Sequence, residues 1–264
     1  MEIAGYLAAL LIGISLGLIG GGGSILTIPV LVYLFHIEPT VATGYSLFIV
    51  GCSSLAGAYK NYKRKNIHFK AAFYFGITSI FTVVLIRKWL LLLIPEHLFS
   101  IGSLEVSKAL LTMLLFALVM IIASLSMIQK QILESKEGED QPIHLTKALF
   151  RGIQVGILTG LLGAGGGFII IPVLIFSFHL NMKQAIGTSL LIIAMNSLSG
   201  FAGDLFHQQF NWSLLIPITC IAITGTFIGR KLGETISGEK LKKGFGWFIL
   251  VMGIYILLHE LLLK

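Results

Sequence analysis

The chain has 264 residues, 56% hydrophobic and only 12% charged, with a mean hydropathy of +0.92. A soluble domain carries about 25% charged residues, so an ordinary soluble enzyme or binding module is excluded and an integral membrane protein is indicated. The formal net charge of +7 would suit a nucleic-acid partner, but the basic residues cluster in short loops between apolar runs. That is the pattern of positive-inside topology signals beside anionic lipid, and no nucleic-acid partner is expected.

Apolar runs at Ile3–Ile19, Val41–Tyr59, Ala71–Ile86 and Ala109–Met127 occupy the first half, and Ala185–Ala202, Leu214–Ile228 and Gly244–Leu258 the second. They approach or reach the ~17–25 residues a helix needs to cross hydrocarbon. They are continuous rather than alternating, which favours helices over barrel strands. The first run has no A-x-A-like cleavage site and continues into a glycine cluster, so it reads as retained structure rather than a signal peptide. Cys52 and Cys220 both lie inside apolar runs and read as small packing residues, with no disulfide, metal site or cofactor expected.

Two glycine clusters organise the chain. "GLIGGGGSILTIPVL" (Gly17–Leu31) and "GLLGAGGGFIIIPVL" (Gly160–Leu174) align without a gap at a shift of 143 positions. At the same shift Pro29 meets Pro172, His36 meets His179, Gly44 meets Gly187, Ser46 meets Ser189, Ser54 meets Ser197, and Arg87-Lys88 meets Arg230-Lys231. Such a register implies duplication. Repeat 1 spans 1–128, a polar inter-repeat linker 129–146 and repeat 2 147–264, in one membrane domain.

Charge then orients the halves. "KNYKRKNIHFK" (Lys60–Lys70) is strongly basic, whereas its counterpart "GDLFHQQFN" (Gly203–Asn211) has one acid and no Lys or Arg. Equivalent loops therefore face opposite compartments, the mark of inverted-topology repeats. Inversion needs an odd number of crossings per half, which holds if each glycine-broken segment returns to its starting side: Ile3–Ile19 turning into Ile25–Phe35, and Leu145–Leu162 into Phe168–Phe178. A single broken crossing would instead give parallel repeats. The expected fold is thus an all-α polytopic membrane protein of two homologous repeats, about four helical segments each, inverted, each opening with a glycine-broken helix. Lys60–Lys70, Arg230–Lys243 and the linker would share the cytoplasmic side. Pro29 and Pro172 are expected near the first turns of the short helices, where Pro is tolerated.

Glycine costs ~1 kcal/mol relative to Ala inside a helix, so Gly20–Gly23 and Gly165–Gly167 should break one. Non-helical backbone survives at membrane depth only when buried in protein or lining a polar cavity. The spacings Gly13-x-x-x-Gly17 and Gly156-x-x-x-Gly160 suit close helix packing. Consecutive glycines instead free adjacent N–H groups at the start of the next helix, which with its dipole suit an anion. The candidate binding residues are Gly20, Gly21, Gly22, Gly23 and Ser24 in the first half, and Gly163, Gly165, Gly166 and Gly167 in the second. Ser46, Ser53, Thr188, Ser189 and Asn196 on the following helices supply hydroxyls and an amide, which can donate to an oxyanion or bond neighbouring helices. His36 and His179 fit an interfacial position or proton coupling. Asp204 fits a solvated helix terminus or a proton relay, and Arg87 and Arg230 either snorkel to the interface or attract an anion at a vestibule.

The paired glycine stretches followed by "IPVL", then "AIGTSL" at Ala185–Leu190, resemble the TauE/SafE sulfite-exporter family, also called the 4-toluene sulfonate uptake permease family, over nearly the whole chain. The resemblance implies secondary transport of sulfur-containing anions such as sulfite, thiosulfate, sulfoacetate or other sulfonates across a prokaryotic cytoplasmic membrane. It also covers members with unassigned substrates. The first half departs from the motif, reading "ATGYSL" with Tyr45 where the second has Thr188. The expected function is therefore alternating-access transport of a small anion, with proton or cation coupling if the anion is taken up. The alternative is an anion channel or a permease for a non-sulfur organic anion. No HExxH, CxxC or inward acid pair points to an enzyme. Cysteines placed at Asn66 and Gln208 should be labelled by an impermeant maleimide from opposite sides of the membrane; protection of both from outside would rule out inversion.

Overall fold

The computed structural model describes residues 2–21, 23–90, 93–95, 97–101, 104–128, 145–178, 180–233 and 238–262. Helices α1 (Glu2–Ile19), α2 (Ser24–Tyr33), α3 (Pro39–Lys63), α4 (Phe69–Leu85) and α5 (Lys108–Ile128) form the first half. Helices α6 (Leu145–Leu162), α7 (Gly167–Phe178), α8 (Met182–Asp204), α9 (Trp212–Gly233) and α10 (Gly238–Leu262) form the second. The inter-repeat linker falls almost wholly outside the described residues.

Local signals start these helices. Pro39 opens α3, where its missing N–H costs nothing. The Asn181 side chain accepts from the Gln184 amide at the start of α8, and His68 Nδ1 accepts from the Ala71 amide at the start of α4. Two features differ from expectation. Between α4 and α5 the chain forms an antiparallel hairpin, β1 (His97–Ile101) with β2 (Leu104–Ser107), pairing Phe99 with Val106 and Ile101 with Leu104. Its apolar residues alternate with Ser100, Glu105 and Ser107, a period of two that suits strand rather than helix. Pro29 lies past the first turn of α2, inside the helix.

Spans long and apolar enough to cross a membrane are Pro39–Lys63, Phe69–Leu90, Lys108–Leu125, Met182–Asp204 and Trp212–Gly233. Glycine sets how closely several of them approach. A Cβ at Gly13 or Gly17 would overlap the carbonyl oxygens of Ala222 or Thr226, and one at Gly225 or Gly229 those of Leu10 or Ile14, so α1 and α9 run side by side in the same direction. Helices α4 and α6 do likewise, with Gly152 on Phe75 and Thr78, Gly156 on Ser79 and Thr82, and Gly160 on Ile86. Helices α3 and α8 run antiparallel: Gly57 lies on Leu190, Gly51 on Leu198 and Gly200 on Leu47. Helix α5 packs on α10.

The glycine-broken segments are hairpins. Gly23 packs on Ile12 and Leu16 of α1, while Phe35, just beyond α2, lies on Gly5 and meets the Tyr6 ring at 6.0 Å between centroids. Helix α2 therefore runs back along α1. Helix α6 ends beside Ile86 and α8 begins beside Asn61 and Asn66, near the opposite end of α4, so α7 likewise runs back. The loop 64–68 and the end of α9 with Arg230 lie at one end of the bundle; the loop 205–211, with Gln208 on Gly44 at the start of α3, lies at the other. Gly13→Val would drive a branched side chain into the α9 backbone, an overpacking cost of about 1–3 kcal/mol or more. It is expected to lower the melting temperature and monodisperse yield in detergent. Gly76→Ala, at a position with nothing within 4 Å, should match or exceed the unsubstituted protein.

Candidate functional site

The tips of the two hairpins meet. A Cβ at Gly21 would stand 2.7 Å from the Gly167 Cα, and one at Gly167 would stand 2.5 Å from the Gly21 Cα, so the two backbones abut with no room for a side chain. Gly20 (φ 75°), Gly163 (φ 68°), Gly165 (φ 66°) and Gly166 (φ 69°) adopt the left-handed conformation, which L side chains rarely tolerate. Gly22 and His179 lie outside the described residues.

Helices α3 and α8 clasp these tips at mid-length. Where a Gly165 Cβ would stand, Val50 Cγ1 is 2.9 Å away, Ile193 Cγ2 3.0 Å and Ser197 Oγ 3.1 Å. Spacings of four, seven and eight residues place Ser46, Val50, Ser53 and Ser54 on one face of α3, and Ser189, Ile193, Asn196 and Ser197 on one face of α8. The hydroxyls of Ser46, Ser53, Ser54 and Ser197 and the Oδ1 of Asn196 are buried without a hydrogen-bond partner, as are those of Thr27 on α2 and Thr159 on α6. Thr159 Oγ1 lies directly against Gly166. Buried polar groups are almost always paired, so this set of orphans, with Ser197 against Gly165 and Thr159 against Gly166, suits a bound polar ligand.

Other candidates are committed elsewhere. Ser24 Oγ donates to the Gly21 carbonyl at 2.7 Å and Ser189 Oγ to the Gly20 carbonyl at 2.8 Å, so both hydroxyls secure the tip. Asn196 Nδ2 donates to Ser79 Oγ on α4 at 2.6 Å. Thr188 Oγ1 accepts from the His68 amide at 2.9 Å, in the basic loop. His36 is exposed after α2. Ser197 and Thr159, beside Gly165 and Gly166, and the equally partnerless Ser54 and Thr27 are absent from the sequence-based candidates. Ser54 and Ser197 coincide at the repeat shift, a signal that could have singled them out.

Arg87 and Asp204 correct the expectation of a snorkelling cation and a solvated terminus. Arg87 is 2% and Asp204 5% exposed, with Nη1 to Oδ2 at 2.6 Å. Arg87 sits on a π-helical turn, Ile86–Leu90, that continues α4, and its Nη1 also donates to Thr43 Oγ1 at 3.0 Å. The pair forms because α4 and α8 both end at this end of the bundle. Thr43, Lys108, Thr112, His207 and Gln208 join it around a cavity of ≈ 60 Å³. Arg230 is half-buried at the opposite end, its backbone amide beside Gly17.

Paired hairpins inside a bundle of apolar spans define a multi-pass helical membrane protein of the transporter class, with non-helical backbone at its centre. The sequence model of the sulfite exporter TauE/SafE family matches residues 5–256, and the chain belongs to that family. It is 29% identical over 252 residues to a probable membrane transporter protein of Xylella fastidiosa, covering 94% of this chain and 91% of the relative. A probable membrane transporter protein of Bacillus subtilis is 28% identical over 258 residues, covering 95% and 98%. One from Methanocaldococcus jannaschii is 29% identical over 266, covering 94% and 92%. No solved structure matches the chain.

Removing one member of a buried ion pair leaves an uncompensated charge, at a cost of about 3–5 kcal/mol. Asp204→Ala should therefore lower thermal stability in detergent more than the combined Arg87→Gln and Asp204→Asn substitutions, which remove both charges.

Proposed function

We propose that the protein carries small sulfur-containing oxyanions, of the sulfite, thiosulfate or sulfonate type, across a prokaryotic cell membrane by alternating access. The anion is held beside the abutting glycine tips, on the side of the hydroxyls of α3 and α8. The observation that carries this reading is the set of partnerless buried hydroxyls on α3 and α8, the two helices against Gly165, with Ser197 Oγ directly beside that glycine. A hydroxyl can rotate to donate to an oxyanion without placing a charge at membrane depth. The family's description as sulfite exporters and the naming of its relatives as probable membrane transporters favour the same class.

The reading includes two inverted repeats that exchange arrangements around the tips. Helix pairing supports it: exchanging α1–α5 with α6–α10 converts the α1–α9 contact into α6–α4 and leaves α3–α8 and α5–α10 unchanged. Equivalent helices α3 and α8 run antiparallel, as an axis in the membrane plane requires and one along its normal forbids. The Lys60–Lys70 loop then marks the cytoplasmic end. An inside-negative potential drives a monoanion outward with ~2.3 kcal/mol per 100 mV, so export needs no coupled ion, whereas accumulation inside needs a co-transported proton or cation.

Ser53→Ala and Ser197→Ala each remove a hydroxyl that has no protein partner, so stability should be unchanged. A lost hydrogen bond to the anion should lower kcat/KM for sulfite or sulfonate flux in proteoliposomes by about tenfold. Unchanged flux in both variants would remove the site from the tips. A panel of sulfur oxyanions, sulfonates and carboxylates in a thermal-shift assay reads the substrate class, and saturable flux without single-channel currents separates a carrier from a channel.

A further inference from the structure

At the end of the bundle opposite the basic loop, Arg87 is buried yet only partly used. Its Nη1 is committed to Asp204 and Thr43, while its Nε and Nη2 have no hydrogen-bond partner. These two nitrogens form the side-on edge of the guanidinium, whose parallel N–H groups match two oxygens borne on one atom. We propose that this edge is a second oxyanion-binding station, separate from the hydroxyls at the hairpin tips, taking one sulfonate, hydrogensulfite or carboxylate group.

Asp204 and Thr43 hold the guanidinium in place, and the Thr43 hydroxyl is itself tied to the Thr40 carbonyl at 2.7 Å. The edge is therefore oriented before an anion arrives, which lowers the ordering cost of binding. Exposed His207 lies at the rim. Gln208, whose Oε1 has no partner, adds an amide that can turn its N–H groups toward a third oxygen.

The station also adjoins the tips. Arg87 Nη2 lies 2.8 Å from where a Cβ of Gly163 would stand, so the absence of a side chain there brings the edge up to the second hairpin. Gly163 is two residues along the hairpin from Gly165, against which Ser197 Oγ lies. The station's role as a point of entry or exit rests on the transport reading; its existence as a binding site does not.

The test uses the full chain in nanodiscs, with methanesulfonate and acetate as probes. Calorimetry on the unsubstituted protein should resolve two methanesulfonate sites, and Ser53→Ala should weaken only one of them. Arg87→Lys keeps the charge but loses the paired N–H edge, and should weaken the other by about tenfold or more. Should that variant misfold, Arg87→Gln with Asp204→Asn takes its place. On unsubstituted protein, saturating methanesulfonate should also protect Arg87 from phenylglyoxal, read by peptide mass spectrometry. Unchanged binding in the folded Arg87 variant, or labelling that the anion does not slow, overturns the station. If Ser53→Ala alters neither binding nor flux while Arg87 remains protected, the tip site fails and the station stands.

Discussion

Everything at the centre of this fold depends on two stretches of backbone being buried against each other. A chain that leaves the helix inside an apolar bundle exposes amides and carbonyls that lipid cannot satisfy. Here the Gly21 and Gly167 backbones abut, each break shielding the other. The neighbouring amides return to their own helices, Gly20 N to the Leu16 carbonyl at 2.8 Å and Gly163 N to that of Thr159 at 2.9 Å. Ser24 and Ser189 satisfy the Gly21 and Gly20 carbonyls. A side chain at either contact glycine would separate the hairpins and strip both of their cover.

The outer helices are arranged to permit that contact. Glycines at helical spacing let α1 lie against α9 and α6 against α4, backbone to backbone, which packs the first helix of each hairpin on the other half. Helices α3 and α8 close over the second tip with Val50, Ile193 and Ser197, which fill the space that a side chain at Gly165 would need. Helical spacing puts Ser46, Ser53 and Ser54 on the face of Val50, and Ser197 on that of Ile193. Close packing and polarity thus come from one set of residues, since serine is among the few side chains both small and able to donate.

Much of this was legible in the primary structure. Apolar runs located the helices because length and hydropathy act locally, and consecutive glycines located the reversals because few other residues adopt positive φ. What a polar side chain does was less accessible. Ser24, Ser189 and Thr188 were chosen by residue type, but the direction of a hydroxyl depends on which carbonyl or amide lies opposite, and for Thr188 that group is the His68 amide, distant in sequence. Arg87 and Asp204 looked like residues for water because each ends an apolar segment. Their burial depends on two helix ends coinciding, 117 positions apart. The charge-derived topology already placed both ends on one side, so their pairing was within reach. The hairpin at 97–107 was missed because its alternation is only a few residues long.

The two halves are not chemically equal at their ends. At the repeat shift Arg87 corresponds to Arg230, but Asp204 corresponds to Asn61 and Thr43 to Ile186. Asn61 turns its amide onto the Gly57 carbonyl of its own helix at 3.1 Å. A transporter of two identical inverted halves would rest equally in its inward and outward forms, because exchanging the halves restores the same molecule. Here one end is fastened by a carboxylate that the other end lacks at the matching position. Under the proposed alternating access the two resting forms would therefore differ in free energy, and the empty carrier would have a preferred side from which it waits for its cargo.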